Sequence, residues 1–185
     1  MRVISGTARG RRLVSPKNRL VRPTSDRVKE SLFNIVSVLL GSFDRCGVLD
    51  VFAGSGALGI EALSRGAASA VFIDRDRESA ALIGKNLEIC GFADRARVLE
   101  RDALSALAIL ERSEAPFRLV FIDPPYGHGL EEKVLGYLAG SPLIDEHTVV
   151  VAETSSREPL QDAYGPLSLF DRRVYGDTAI SFFRR

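Results

Sequence analysis

The 185-residue sequence predicts one α/β domain built on a mostly parallel β-sheet. From about residue 47 onward, strand-like apolar runs alternate with helix-like runs. Such repeated β-α-β units imply a parallel sheet with helices on both faces. The last two strand-like runs are joined by Tyr175-Gly176-Asp177, which predicts a terminal hairpin. We expect two parts, a basic N-terminal hairpin extension at residues 1–22 and a main domain at residues 23–185.

The N-terminal extension has the pattern of a short hairpin. Val3-Ile4 and Leu13-Val14 supply apolar pairs, and residues 6–10 have the composition of a turn. Pro23 then interrupts the chain, which ends the extension.

A helix is predicted directly after this proline. Thr24 or Ser25 can cap its amino end, and Asp26 is favourable in its first turn. Apolar residues recur at helical spacing and predict one face packed on the main domain: Val28, Leu32, Ile35 and Leu39.

The remaining elements alternate regularly along the chain. Five strands are expected at residues 47–52, 70–73, 96–100, 119–122 and 148–152. Four helices are expected between them, at residues 57–65, 78–90, 103–112 and 130–139. The final strands are expected at residues 167–175 and 178–183.

Composition and charge exclude several classes of protein. The formal net charge of +1 indicates no partner by itself. Cys46 and Cys90 lie far apart and lack C-x-x-C spacing, so neither a disulfide framework nor a zinc site is expected. The sequence contains no apolar stretch of membrane-spanning length, and its start is too short and polar for a signal peptide. We therefore expect a cytoplasmic protein with no membrane attachment and no metal. We also expect a monomer, although no sequence pattern reveals the oligomeric state.

The segment Asp123-Pro124-Pro125-Tyr126 is the most informative one for chemistry. It follows residues 117–122, an apolar run typical of a buried strand, and the prolines must lead the chain out of the sheet. A carboxylate, two carbonyls and an aromatic face are thus held at the strand's carboxyl end. The acceptors suit the hydrogens of an exocyclic amine, and the ring suits the plane of a base. A Pro-rich turn without a catalytic role is the alternative.

A glycine-rich loop follows the first parallel strand. Gly54 and Gly56 remove side chains where a ligand must approach the backbone, and Gly59 permits close packing of a helix on the sheet. These three residues also fit G-x-G-x-x-G, the dinucleotide fingerprint. Asp50 argues against a dinucleotide, because a carboxylate just before the loop would repel a pyrophosphate. A methionine moiety with its ammonium group would tolerate that carboxylate.

Further acids follow the second and third strands. Asp74 lies roughly 20 residues after the glycine loop, where an acid commonly accepts hydrogen bonds from ribose hydroxyls. For Asp76 we favour a role in a helix-starting turn. Asp102 could accept from an adenine amino group or cap the next helix, and the two roles are compatible.

Taken together, the motifs resemble one family along nearly the whole chain. The Arg22-Pro23-Thr24 segment, the glycine loop and the D-P-P-Y motif closely resemble those of RsmD-type bacterial 16S rRNA guanine-N2 methyltransferases. D-P-P-Y alone is shared with DNA adenine-N6 enzymes. The sheet pattern resembles the Rossmann-like class I S-adenosylmethionine-dependent methyltransferase fold. That fold implies seven strands in the order 3-2-1-4-5-7-6, with the last strand antiparallel.

The resemblance implies a methyltransferase catalytic domain at residues 23–185. Its methyl donor would be S-adenosylmethionine, its product S-adenosylhomocysteine, and its substrate 16S rRNA in the small ribosomal subunit or an assembly intermediate. Asp123 and Pro124 would accept from the guanine amine, and Tyr126 would stack on the base. The predicted cofactor-binding residues are Asp50, Phe52, Ala53, Gly54, Ser55, Gly56, Asp74, Asp102 and Ala103.

The basic hairpin is the predicted RNA-binding arm. The first 22 residues contain seven Arg and Lys side chains and no carboxylate, which favours phosphate contact over a solvated charged surface. The predicted RNA-binding residues are Arg9, Arg11, Arg12 and Arg22. Arg22, Thr24 and Asp26 could instead lie over the methionine end of the cofactor or form a capped helix start.

Two other functions stay open from the sequence. A DNA adenine-N6 methyltransferase would normally need a target-recognition domain, for which this chain has little room. A non-catalytic RNA-binding assembly factor that has kept the fold is the second alternative. The proton released by the reaction could go to Asp123 or to water. Glu153, at the end of the fifth strand, has no assigned role.

Overall fold

The structure, a computed structural model, describes residues 1–15 and 26–185. Its helices are α1 (Asp26–Leu40), α2 (Ala57–Ser64), α3 (Arg77–Cys90), α4 (Ala103–Leu110) and α5 (Leu130–Ala139), with a 3-10 turn at Ala93–Arg95. Its strands are β1 (Gly47–Val51), β2 (Ser69–Asp74), β3 (Ala96–Glu100), β4 (Leu119–Ile122), β5 (Val149–Ser155), β6 (Ala163–Tyr164), β7 (Leu167–Tyr175) and β8 (Thr178–Arg184).

The strands form a single sheet in the order β3-β2-β1-β4-β5-β8-β7-β6. Strands β1 to β5 run parallel, and β8 lies antiparallel between β5 and β7. This order matches the predicted one, since β7 and β8 are the sixth and seventh predicted strands. The sheet has eight strands rather than seven, because β6 adds two residues at the edge beside β7. Gly165, with φ 58°, turns the chain from β6 into β7, and two residues are too few for a recognisable strand pattern.

Helices cover both faces of the sheet, and each face has its own core. Helices α1, α2 and α3 pack on the face that carries Val48, Phe72 and Phe121. Helices α4 and α5 pack on the opposite face, which carries Leu49 and Val120. The central strands are therefore buried on both sides, which accounts for their continuous apolar sequences.

Helix α1 follows the predicted register with a shifted buried face. Leu32 is buried as expected, whereas three other residues of the predicted face, Val28, Ile35 and Leu39, are only partly buried. The remaining buried residues are Lys29, Phe33, Val36 and Leu40. Asp26 lies in the first turn, and the two predicted capping residues fall outside the described part of the chain.

Residues 1–15 form the predicted hairpin and pack on the main domain. Arg2 pairs antiparallel with Arg12, and the Val3 N–H donates to the Arg11 carbonyl at 3.0 Å. The buried side chains of Val3 and Leu13 belong to the same core as α1, α2 and α3. The predicted boundary at residue 22 lies among residues that the structure does not describe.

A buried carboxylate anchors this hairpin to α2. Glu61 accepts the backbone N–H groups of Ile4 and Ser5 at 2.8 and 3.0 Å and the Arg65 side chain at 2.9 Å. The Lys29 ammonium lies 3.6 Å from the same carboxylate, and both side chains are almost wholly buried. Burial lowers the pKa of Lys29, and the charge of Glu61 opposes that shift. Removing one partner of such a buried pair costs about 3–5 kcal/mol, so the hairpin position is well defined.

Within the described residues, no helix is long and apolar enough to cross a membrane. No group of three or more His, Cys, Asp or Glu side chains in this part of the chain could hold a metal ion. Cys46 and Cys90 are free and buried, and burial raises the pKa of the Cys46 thiol to about 11. At neutral pH this thiol is protonated and unreactive.

Candidate active site

Three carboxylates lie on neighbouring parallel strands near the carboxyl ends of the sheet. Asp50 is in β1, Asp123 directly follows β4, and Glu153 is in β5. Asp50 pairs in register with Phe121, whose side chain lies on the α1 face. Ile122 pairs with Ala152, so the next step along both strands places Asp123 beside Glu153. Alternation of side chains along a strand then puts all three carboxylates on the face that α1 covers.

Asp123 lies where β4 leaves the sheet. Its N–H still donates to the Val51 carbonyl at 3.4 Å, and the next two residues are prolines that cannot donate. Burial, followed by the negative charges of Glu153 and Asp50, raises the pKa of Asp123 well above its usual value. The pocket therefore favours hydrogen-bond donors and positive charge beside this carboxyl group.

A small cavity connects Asp123 with Glu153. It measures about 10 Å³, and both carboxylates line it together with Leu32 from α1, Leu58 from α2 and Ile180 from β8. This volume is about that of one water-sized probe. The two acids therefore border one shared space with room for a water-sized group.

Tyr126 covers the outer side of this pocket. Its hydroxyl donates to Oε1 of Glu153 at 2.9 Å and lies 3.4 Å from Oγ1 of Thr178. The side chain is 41% exposed, so ring surface remains accessible. Pro124 is buried and Pro125 is exposed. The structure therefore brings together the three residues that the sequence predicted as catalytic, Asp123, Pro124 and Tyr126.

The glycine loop after β1 turns through unusual backbone angles. Phe52 has φ 65°, and Gly54 and Gly56 have φ 56° and 76°. A non-glycine residue in this region costs about 1–3 kcal/mol and is typical of functional sites. Phe52 packs against the core beneath α4 and α5. A Cβ at Gly54 would meet no atom within 4 Å, which leaves open space above the loop.

Asp74 holds the glycine loop from the neighbouring strand. Its Oδ2 accepts the Gly54 N–H at 2.8 Å, and its Oδ1 accepts the Asp76 N–H at 2.9 Å. Asp76 caps α3 by accepting the Ser79 N–H at 2.9 Å, which agrees with the expected helix-starting role. Hydrogen bonds from Ser79 lower the pKa of Asp76. Asp74 therefore joins the glycine loop and the end of β2 in one unit.

Asp102 occupies the corresponding position after β3. It caps α4 by accepting the Ser105 N–H at 3.3 Å, so the capping role is confirmed. Its exposed carboxylate stays available for the predicted adenine contact, which remains a prediction. Ala103 is the first residue of α4 and is buried.

Asp50 lies deeper than the sequence suggested. The side chain is only 2% exposed, and its Oδ2 accepts the Gly59 N–H at 2.9 Å. Burial raises the pKa of Asp50 to about 7. The hydrogen bond from Gly59 opposes this shift, and the negative charge of Asp74 adds to it. Asp50 therefore lies beneath the loop and holds the amino end of α2 through Gly59, and its predicted contact with the cofactor remains a prediction.

Asn86 links the glycine loop to the N-terminal hairpin, and no sequence pattern had indicated it. Its buried amide donates to the carbonyls of Ser55 and Val14 at 2.9 and 3.0 Å and accepts the Val14 N–H at 2.8 Å. Ser55 is itself buried, and its hydroxyl lies 3.9 Å from the Met1 sulfur. The hairpin therefore borders the predicted cofactor site directly.

The predicted RNA-binding arginines differ in their surroundings. Arg9 and Arg12 are exposed, and their side chains make no hydrogen bond or ion pair with other described residues. The Arg11 side chain donates to the Ile89 carbonyl of α3. Arg22 lies outside the described residues. Two of the four predicted arginines are therefore exposed and have no competing contact with another described residue.

Glu153 is the second residue whose role the sequence did not reveal. The sequence does show an acid in the fifth strand. This acid adjoins Asp123 only because β4 and β5 are neighbours in the sheet. That neighbour relation follows from the sheet order and not from local sequence.

Known proteins are similar to this chain over nearly its whole length. The family described as conserved hypothetical protein 95 matches residues 1–184. Ribosomal RNA small subunit methyltransferase D of Escherichia coli is 37% identical over 185 residues, which cover 100% of this chain and 90% of that protein. YlbH of Bacillus subtilis is also 37% identical, over 100% of this chain and 99% of that protein.

A solved structure gives the same result for the fold. The Escherichia coli protein yhhF superimposes with a TM-score of 0.86 and 37% identity, over 100% of this chain and 97% of that chain. The predicted class I methyltransferase fold is confirmed. The chain belongs to the conserved hypothetical protein 95 family, the RsmD-type family whose motifs its sequence carries.

Proposed function

We propose that this protein transfers a methyl group from S-adenosylmethionine to the exocyclic N2 of a guanine in 16S rRNA. The observation that carries the proposal is the juxtaposition of Asp123, Pro124 and Tyr126 beside an acid-rich pocket at the carboxyl ends of β4 and β5. The names of the relatives support rRNA methylation as the reaction. The choice of guanine N2 as the acceptor is our inference from the resemblance of the Arg22-Pro23-Thr24 segment, the glycine loop and the D-P-P-Y motif, taken together, to one family.

The site has the chemistry that amine methylation requires. A sulfonium methyl is already activated, so the protein mainly has to position the amine in line with it. The guanine N2 lone pair is delocalised into the ring and is a poor nucleophile. Hydrogen bonds from the amine to the Asp123 carboxylate and the Pro124 carbonyl return electron density to nitrogen. They also stabilise positive charge as it develops.

The glycine loop and its neighbours fit the methyl donor. The space above Gly54 admits a ligand close to the backbone, and Asp74 and Asp102 lie at strand ends where they can accept from ribose and adenine. A cationic ligand in the cleft would favour the ionised form of Asp50, whereas a pyrophosphate near this buried carboxyl group would gain no such stabilisation. S-adenosylmethionine therefore suits the site better than a dinucleotide does.

The rRNA would reach the site along the basic hairpin. The exposure of Arg9 and Arg12 supports contacts with phosphates, and such contacts position an RNA without specifying its sequence. A base in structured RNA must swing out to enter the pocket. The exposed ring of Tyr126 would then stack on it, a contact worth about 1–3 kcal/mol. We propose that the protein acts as a cytoplasmic monomer on the small subunit or an assembly intermediate.

Methyl transfer to purified substrates tests this function. Small ribosomal subunits from a strain that lacks the protein, and plain duplex DNA, are incubated separately with labelled S-adenosylmethionine. We expect label in 16S rRNA at one guanine, as N2-methylguanine on nucleoside analysis. Label only in DNA as N6-methyladenine would overturn the proposal.

A variant at Asp123 distinguishes a catalytic function from that of a non-catalytic assembly factor. Asp123→Ala removes the acceptor and should reduce methyl transfer by about 100- to 1000-fold, the usual loss when one oriented electrostatic group is removed. Subunit and cofactor binding should stay near wild type. Asp94→Ala, which changes an exposed acid in the 3-10 turn, is the matched control and should retain full transfer. Unchanged transfer by Asp123→Ala would remove that residue from the mechanism.

A further inference from the structure

We propose that Glu153 selects guanine by accepting the N1–H of the target base while Asp123 accepts from the neighbouring N2 amine. The inference rests on the proposed guanine-N2 function and adds a specificity-determining residue to it. Glu153 belongs to β5, outside the D-P-P-Y motif.

The two carboxylates are neighbours by the construction of the sheet. The parallel register of β4 and β5 pairs Ile122 with Ala152, so the following residues Asp123 and Glu153 lie side by side. Both line the same small cavity on the α1 face of the sheet. A base edge that reaches Asp123 therefore meets Glu153 at the next position.

The hydrogen-bonding edge of guanine matches this pair. Guanine presents two adjacent donors, the N1–H and the N2 amine, and a carboxyl group in its ionised form accepts only. Two donors at this edge favour that ionised form of Asp123 and Glu153, whereas burial, followed by the proximity of the two groups, otherwise raises the pKa of Asp123. Adenine presents one amine next to N1, which is itself an acceptor. Adenine would therefore place a lone pair against the Glu153 carboxylate. A site built to bond a donor rejects an analogue that lacks it, because its buried polar group is left unpaired.

The orientation of Glu153 is fixed by its neighbours. The Tyr126 hydroxyl donates to its Oε1 at 2.9 Å, and Thr178 lies 3.4 Å from the same hydroxyl. A carboxylate offers about four acceptor positions, so the bond from Tyr126 is compatible with a second bond from a base. The Tyr126 hydroxyl thus links the ring that would stack on the base with the Glu153 carboxylate that would bond to the edge of the base.

A base-swap experiment with Glu153→Gln tests the inference. Small subunits are reconstituted with 16S rRNA in which the target guanine is either retained or replaced by 2,6-diaminopurine. That base keeps the amine on C2 but has an acceptor at N1. In the variant, Tyr126 can still donate to the amide oxygen, which leaves the amide NH₂ to donate to this acceptor.

The expected result is a change of preference. Wild type should methylate guanine at least about 100-fold better than 2,6-diaminopurine, measured as kcat/KM. In Glu153→Gln the activity on guanine should fall by about 100-fold, and the activity on 2,6-diaminopurine should stay level or rise. Glu158→Gln, an exposed acid after β5, is the matched control and should keep the wild-type preference.

The outcomes distinguish the two proposals. An equal loss on both substrates would assign Glu153 a purely structural role and overturn the inference. An unchanged preference would overturn it as well. If wild type methylates neither base at the C2 amine, the guanine-N2 function itself fails. Methylation of guanine by wild type with no role for Glu153 leaves that function standing.

Discussion

The backbone N–H of Gly59 donates a 2.9 Å hydrogen bond to Oδ2 of Asp50, so α2 lies directly on a buried carboxylate. The two groups approach closely because Gly59 has no side chain. An added Cβ would lie 2.4 Å from the Phe72 ring and 3.2 Å from the Asp50 carboxylate. The amino end of α2, the glycine loop and β1 are thereby held in one arrangement.

Replacing Gly59 with alanine should destabilise the protein. The added methyl group must displace either the Phe72 ring or the helix, and such overpacking costs about 1–3 kcal/mol. We expect the free energy of unfolding from urea titration to fall by that amount, together with weaker S-adenosylmethionine binding.

Gly84→Ala is the matched control for this change. Gly84 lies inside α3, and a Cβ there would meet no atom within 4 Å. This variant should be neutral or more stable by about 0.5–1 kcal/mol, since alanine is the better helix former. Equal stability of the two variants would contradict the close approach of α2 to β2.

The buried carboxyl group of Asp50 should make stability depend on pH. Burial raises its pKa to about 7 in the folded protein, whereas an unfolded chain releases this proton near pH 4. Between these values the folded state retains a proton that the unfolded state has lost. The free energy of unfolding should therefore decrease as the pH rises from about 4 to about 7. The raised pKa of Asp123 acts in the same direction.

The variant Asp50→Asn isolates this contribution, because its amide oxygen can still accept from Gly59 but does not titrate. Relative to wild type, it should gain stability as the pH rises, by on the order of 4 kcal/mol across the window. Urea titrations of both proteins at several pH values measure the difference. A difference that does not vary with pH would mean that Asp50 is ionised throughout.

Two substitutions of Tyr126 should separate its ring from its hydroxyl. Tyr126→Phe keeps the stacking face and removes the bond to Glu153, so we expect kcat/KM on small subunits to fall by about 5- to 10-fold. Tyr126→Ala also removes stacking, worth about 1–3 kcal/mol, and should fall considerably further. Tyr164→Phe, whose hydroxyl bonds Glu132 at the sheet edge, is the control and should be unaffected. Equal reductions in the two Tyr126 variants would assign the role to the hydroxyl.

The exposed arginines of the hairpin should determine the salt dependence of RNA binding. We expect the double variant Arg9→Ala and Arg12→Ala to bind small subunits more weakly. We plot the logarithm of affinity against the logarithm of salt concentration. The slope should be smaller in magnitude by about 0.7–0.9 for each phosphate that the hairpin no longer neutralises. Arg11 is left in place because its side chain is docked on the Ile89 carbonyl. Arg112 is an exposed arginine just after α4, and the control variant Arg112→Ala should keep the wild-type slope. An unaltered slope in the double variant would rule out phosphate binding by the hairpin.

Much of the fold could be predicted because it depends on local patterns. The strand before Asp123 and the helix at Leu130–Ala139 follow directly from apolar runs and their periodicity. The left-handed angles at Gly54 and Gly56 agree with the glycines in the loop. The two-residue strand Ala163–Tyr164 was missed, because its pairing depends on the neighbouring strand and not on its own residues.

The sequence by itself determined the order of the elements, the identity of the D-P-P-Y and glycine-loop residues, and the family. These features are encoded by residues close together in the chain. Only the tertiary structure decided that Glu153 lies beside Asp123, that Asn86 joins the hairpin to the glycine loop, and that Asp50 is buried beneath Gly59. Each of these relationships joins segments that are distant in sequence. Sheet register and helix packing bring those segments together, and neither has a signature in the local sequence.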